Sequence, residues 1–156
     1  MLYFLSQLST EVNIFNLFRY QTFRAGGAMI TALVVALMCG PAIIRWLKSK
    51  QPLGQPIRSD GPESHILTKK GTPTMGGIMI LLGMGVATLL WADLTNRFVL
   101  ACLFVTLGYG LIGSFDDYRK VTKRSSSAGL SGRTRLVAEL VIAGIAAAWI
   151  TSVTTP

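Results

Sequence analysis

Residues 111–120 read LIGSFDDYRK: an apolar run ends in two adjacent aspartates, Asp116 and Asp117, and two cations follow. A charged carboxylate at the centre of a bilayer costs about 2.5–3.5 kcal/mol on insertion scales, so a pair belongs at the membrane edge. On a helix Asp116 reaches Arg119 and Lys120 at i+3 and i+4, contacts worth about 0.2–0.5 kcal/mol each. Asp117 lies about 100° further round, with Val121 at i+4, and helix-end electrostatics leave it without a cation of its own. Adjacent aspartates repel unless something cationic lies near them. A hard cation such as Mg²⁺ takes oxygen ligands and bridges one or two carboxylates to substrate phosphates. The chemistry open to this pair is therefore metal-assisted phosphoryl transfer at a membrane surface.

A second polar stretch, RSDGPESHILTKKGTPTMGG, covers residues 58–77. Asp60-Gly61-Pro62 is a turn signal. Thr72 or Thr74 can cap a following helix, and Pro73 suits its first turn. Gly76 and Gly77 allow a backbone or ligand to come close. Lys69 and Lys70 just ahead of a helix N-terminus make a favourable place for phosphate. The same residues also describe a capped membrane helix with basic anchors, and the two readings stand side by side. His65, the single histidine, reads more simply as a hydrogen-bonded surface residue than as a catalyst. Cys39 and Cys102 fall inside apolar segments and read as small packing residues.

The elements that must position these residues are apolar. Of 156 residues, 51% are hydrophobic and only 14% charged, against about a quarter charged in an ordinary soluble domain. Long windows hold almost no charge, which predicts an all-α integral membrane protein with four transmembrane helices, at about 25–47, 75–91, 98–115 and 136–153. The second and third are short for a span and are expected to extend into their flanks. Pro41 lies inside the first and is expected to kink it. Residues 1–20 mix Leu, Phe and Tyr with Ser, Gln and Asn, which predicts a short interfacial helix ahead of a membrane domain over 21–156. Small residues at i, i+4, such as Gly83/Ala87, Gly110/Ser114 and Gly144/Ala148, permit close helix contacts.

The net charge of +8 invites a nucleic-acid partner, but its distribution argues against one. Twelve of the fifteen Lys and Arg residues lie in 45–70 and 116–135, while the connection between the second and third spans has Arg97 and Asp93. The positive-inside rule places loops 48–74 and 116–135 in the cytoplasm and the N-terminus outside. The bilayer itself is then the partner of most of these cations, through anionic headgroups.

SDGPESH (59–65), KKGTPTMGG (69–77), GSFDDYRK (113–120) and the opening FRYQTFRAGGAMITAL (18–33) resemble the phospho-N-acetylmuramoyl-pentapeptide transferases, within the polyprenyl-phosphate sugar-1-phosphate transferases. The resemblance implies a bacterial inner-membrane enzyme of peptidoglycan synthesis. It would transfer phospho-MurNAc-pentapeptide from UDP-MurNAc-pentapeptide to undecaprenyl phosphate with Mg²⁺, giving lipid I and UMP. It implies that Asp116 and Asp117 are the family's aspartate pair, one activating the lipid phosphate and the other at the metal, with the assignment open. It likewise implies Lys69 and Thr74 as polar residues of the nucleotide and metal pocket. A homodimer stays open. Family members have about ten spans, so a four-span chain looks truncated and is expected to be inactive alone. The alternative is a non-enzymatic four-helix membrane subunit or assembly factor, whose acids and bases only set topology. The orientation is checked with cysteines placed at Ser59 and Ser126: in intact cells an impermeant thiol reagent is expected to miss both and to label both once the membrane is opened. Labelling of Ser59 from outside would reverse the topology.

Overall fold

The computed structural model describes residues 2–4, 13–51, 54, 73–125 and 127–154. All the regular structure there is helical. A 3-10 helix, Asn13–Arg19, leads into α1 (Gln21–Lys50). Then come α2 (Gly77–Trp91), α3 (Arg97–Thr122) and α4 (Gly132–Thr154). Three of these, α1, α3 and α4, are long and apolar enough to cross a membrane. At 15 residues α2 is only about 22 Å long, against about 30 Å of hydrocarbon. Of the two segments expected to lengthen, the third does so at its C-terminal end, carrying the aspartates into the helix. The second does not: its helix begins at Gly77, after a short irregular stretch at 73–76. α1 continues unbroken through Pro41.

Consecutive helices run antiparallel. A Cβ at Gly83 of α2 would lie 3.0 Å from the Ala32 carbonyl oxygen of α1, and one at Gly40 would lie 3.3 Å from Met79 Sδ. Gly110 of α3 gives its space to the Leu81 side chain, and Gly108 of α3 to Ile142 of α4. Two of the small-residue positions thus meet neighbouring helices, while Gly144 faces open space. Little is deeply buried: Leu47, Ala87, Ala101 and Ala146 are the buried apolar residues described. Large apolar side chains such as Met29, Leu37, Met38 and Leu111 point outward, as in helices bathed by lipid rather than water. Cys102 is also exposed, so the expected packing role does not hold for it within these helices.

The end opposite the aspartates is clamped by Trp91. Its ring stacks on Phe18 of the 3-10 helix, centroids 5.9 Å apart, and meets Phe23 of α1 edge-on at 6.0 Å. Its indole N–H donates to Thr31 Oγ1 at 2.9 Å, and that hydroxyl donates to the Gly27 carbonyl at 2.8 Å. Only a glycine at 27 leaves room for the indole, because a Cβ there would fall on the ring. In the turn that follows, Asp93 Oδ1 accepts from the Thr95 hydroxyl at 2.6 Å and its N–H at 3.0 Å. These bonds hold the Asp93 carboxyl below its ordinary pKa. Asn96 then caps α3 through Phe98 N–H at 2.9 Å. Gly27→Ala is expected to push the indole off α1 and to destabilise the protein by about 1–3 kcal/mol, measured as thermal unfolding in detergent. Thr31→Val, which strands the indole N–H, is expected to cost about 1–3 kcal/mol in the same assay.

Candidate active site at the Asp116–Asp117 end

The antiparallel order brings the C-terminal end of α1, the start of α2, the end of α3 and the turn before α4 to one end of the bundle. Asp116 and Asp117 lie there, in the last two turns of α3. Asp116 is turned inward. Its Oδ1 accepts from the Leu130 N–H at 2.6 Å, and Oδ2 pairs with Lys120 Nζ at 2.5 Å. Gly129 makes this approach possible, since a Cβ there would collide with Asp116 Oδ1 and the Lys120 side chain. Asp117 faces the other way round the helix. Its Oδ2 accepts from the Thr74 hydroxyl at 3.0 Å, and Oδ1 lies 3.8 Å from Lys120 Nζ. Thr74 in turn gives its backbone N–H to Gln51 Oε1 at 3.0 Å.

The two carboxylates are therefore not equivalent. The Asp116 side chain is 9% exposed with both oxygens taken, whereas that of Asp117 is 31% exposed. Both line a cavity of about 450 Å³ with Lys120 and Arg135, closed on its apolar side by Ile78, Ile80 and Leu81. Arg135 is itself tied to Glu139 at 2.8 Å.

The structure corrects the sequence reading at three places. Asp117 does have a helix-end cation, because Lys120 stands at its i+3 position and bridges the pair. Thr74 does not cap α2: the cap position is Gly76, without a side-chain bond, and Thr74 spends its hydroxyl on Asp117, while Thr72 lies outside the described residues. Among the described residues nothing lies within 4 Å of a Cβ position at Gly76 or Gly77, so no described backbone uses the space they leave. Between Thr74 and Gly76, Met75 takes φ 72°, a left-handed conformation rare for a non-glycine residue and one that recurs at turns and functional sites. Lys69, Lys70 and His65 lie outside the described residues.

Gln51, Gly129, Leu130 and Arg135 join the site without having been singled out. Gln51 carries no sequence signal, since a glutamine after a basic helix end looks like a solvated residue. Lys120 was visible, but only as a partner of Asp116.

Among the described residues no group of three or more His, Cys, Asp or Glu side chains could hold a metal unaided. Mg²⁺ asks for less, because it commonly takes one or two carboxylates and completes its shell with water and phosphate. Asp117 Oδ1, whose partner among the described residues is the Lys120 ammonium at 3.8 Å, fits such a role. Asp116, with both oxygens engaged, fits a bracing role. Gly129→Ala is expected to break that brace and to cost about 1–3 kcal/mol in detergent unfolding.

Residues 69–81, which include Thr74, match the family model described as phospho-N-acetylmuramoyl-pentapeptide-transferase signature 1. The chain is 58% identical over 155 residues to the phospho-N-acetylmuramoyl-pentapeptide-transferase of Granulibacter bethesdensis, covering 99% of this chain and 42% of that protein. It is 55% identical over 152 residues to the protein of the same name from Maricaulis maris, covering 97% and 41% respectively. The chain thus spans less than half the length of these curated relatives, and it corresponds to their N-terminal part. By sequence the chain is thus similar to the N-terminal portion of proteins named phospho-N-acetylmuramoyl-pentapeptide-transferase.

Proposed function

We propose that these residues form the aspartate half of a Mg²⁺-dependent transferase site. That site moves phospho-MurNAc-pentapeptide from its UDP carrier to undecaprenyl phosphate at the cytoplasmic face of a bacterial inner membrane, giving lipid I and UMP. The observation that carries this reading is the Thr74–Asp117 bond, 3.0 Å across 43 positions of sequence. It joins the family's signature segment to the aspartate pair in one cavity. A purely topological role accounts for the Lys120 bridge to Asp116 but not for this bond, so a non-enzymatic subunit is the weaker account.

In this reading Asp117 is the carboxylate that would hold Mg²⁺, which when bound would neutralise phosphate charge and tie it to the protein. Thr74 holds the second oxygen of Asp117 and leaves the first for the ion. Lys120 and Arg135 supply positive charge on the same cavity wall, suited to a phosphate. Asp116 keeps Lys120 and the turn before α4 in place. Lys69, the first residue of the signature match, is assigned to the nucleotide and metal pocket by resemblance alone.

The test is lipid I formation by the intact protein in membranes, supplied with UDP-MurNAc-pentapeptide, undecaprenyl phosphate and Mg²⁺. Asp116→Asn and Asp117→Asn are each expected to lower kcat by about two orders of magnitude or more, with membrane insertion unchanged. Asp117→Asn is expected to raise the Mg²⁺ concentration for half activity, and Asp116→Asn to lower the unfolding temperature instead. Near-normal turnover in both variants would end the catalytic reading of the pair.

A further inference from the structure

Besides Asp116, the buried polar residue among those described is Gln51, at 5% exposure. A buried amide with unmet hydrogen bonds is costly, so its placement asks for a partner. Gln51 sits just past the end of α1. Its N–H donates to the Leu47 carbonyl at 2.9 Å, and its own carbonyl accepts from the Gly54 N–H at 2.9 Å. The backbone is thus held from both sides, and the side chain is a short lever on a fixed base.

That lever ends on Thr74. Residues 73–76 are not helical, so the Thr74 N–H lacks an intrahelical acceptor, and Gln51 Oε1 supplies one at 3.0 Å. Thr74 then places its hydroxyl on Asp117 Oδ2. One residue carries both bonds, its amide toward α1 and its hydroxyl toward α3. Releasing the amide frees the backbone torsions of Thr74, and with them the direction of the hydroxyl.

We infer that Gln51 is a positioning residue for the transfer reaction: through the Thr74 N–H it fixes the hydroxyl that orients Asp117. The inference rests on the reading of Asp117 as the working carboxylate. It extends the site to α1, which places no charged group in the cavity. Gln51 is not among the described residues that line the cavity. Its effect is therefore on the chemical step and not on substrate binding.

The test is a double-mutant cycle in the lipid I assay with the intact protein. Gln51→Leu is expected to lower kcat by about 10–100-fold, the scale on which small misplacements of a catalytic group act, while KM for both substrates changes by less than about 3-fold. Thr74→Val removes the hydroxyl and is expected to lower kcat comparably. The double variant is expected to be no worse than the poorer single, because both changes cut the same chain. Gln51→Asn, too short to reach, serves in the same cycle if Gln51→Leu fails to insert. Wild-type kcat in the Gln51 variants overturns the inference. So do losses that multiply in the double variant, which would show Gln51 acting independently of Thr74. A wild-type protein of the relatives' full length without turnover would overturn the transferase reading itself, whereas an active wild type with unimpaired Gln51 variants overturns this inference alone.

Discussion

Two neighbouring carboxylates at the end of an apolar helix must find donors, because each must keep its charge where water is scarce and the other is close by. One helix cannot provide enough. Lys120 reaches both, at i+4 from Asp116 and i+3 from Asp117, but a single ammonium leaves most lone pairs unmet. The rest come from elsewhere in the chain: the Leu130 N–H before α4 and the Thr74 hydroxyl before α2. Satisfying the pair therefore draws three separate segments to one end of the bundle. The antiparallel order of the helices is what makes them available.

The same requirement makes the two acids different. Adjacent residues point about 100° apart on a helix, so they meet different neighbours. Asp116 turns toward α4 and is consumed by its bonds, and Gly129 leaves the room for it. Asp117 turns toward the signature segment and is the more exposed of the two in the cavity they share. A pair that looks redundant in sequence is divided into a brace and a candidate working group.

The short α2 connects the two ends. Trp91 anchors its far end against the 3-10 helix and α1. With only 15 helical residues, α2 stops early, and the chain ahead of it runs as an irregular stretch that includes left-handed Met75. Irregular backbone near a membrane is tolerated where protein groups satisfy it. Gln51 does so for Thr74, and the conformation that results lets Thr74 face Asp117. A longer, regular α2 would carry Thr74 inside the helix, with its N–H bonded to its own backbone.

Much of this protein could be read from its sequence, for a physical reason. Apolar windows of span length and cations clustered in two stretches are properties of composition along the chain, and lipid selects on composition directly. Helix, membrane and the aspartate end of α3 follow from that. The GTPTMGG and FDDYRK segments are contiguous, so their resemblance to a transferase family needs no fold to be seen. What the sequence could not decide is anything that depends on two segments meeting. Thr74 looks like a helix cap until Asp117 is seen beside it. Gln51 looks solvated until α2 covers it, and Gly129 looks like loop punctuation until Asp116 fills its space. A hydrogen bond across tens of residues leaves no periodic trace, because its geometry is fixed by how the helices pack and not by local spacing. The tertiary structure alone decided which aspartate is braced against the turn before α4 and which is joined to the signature segment.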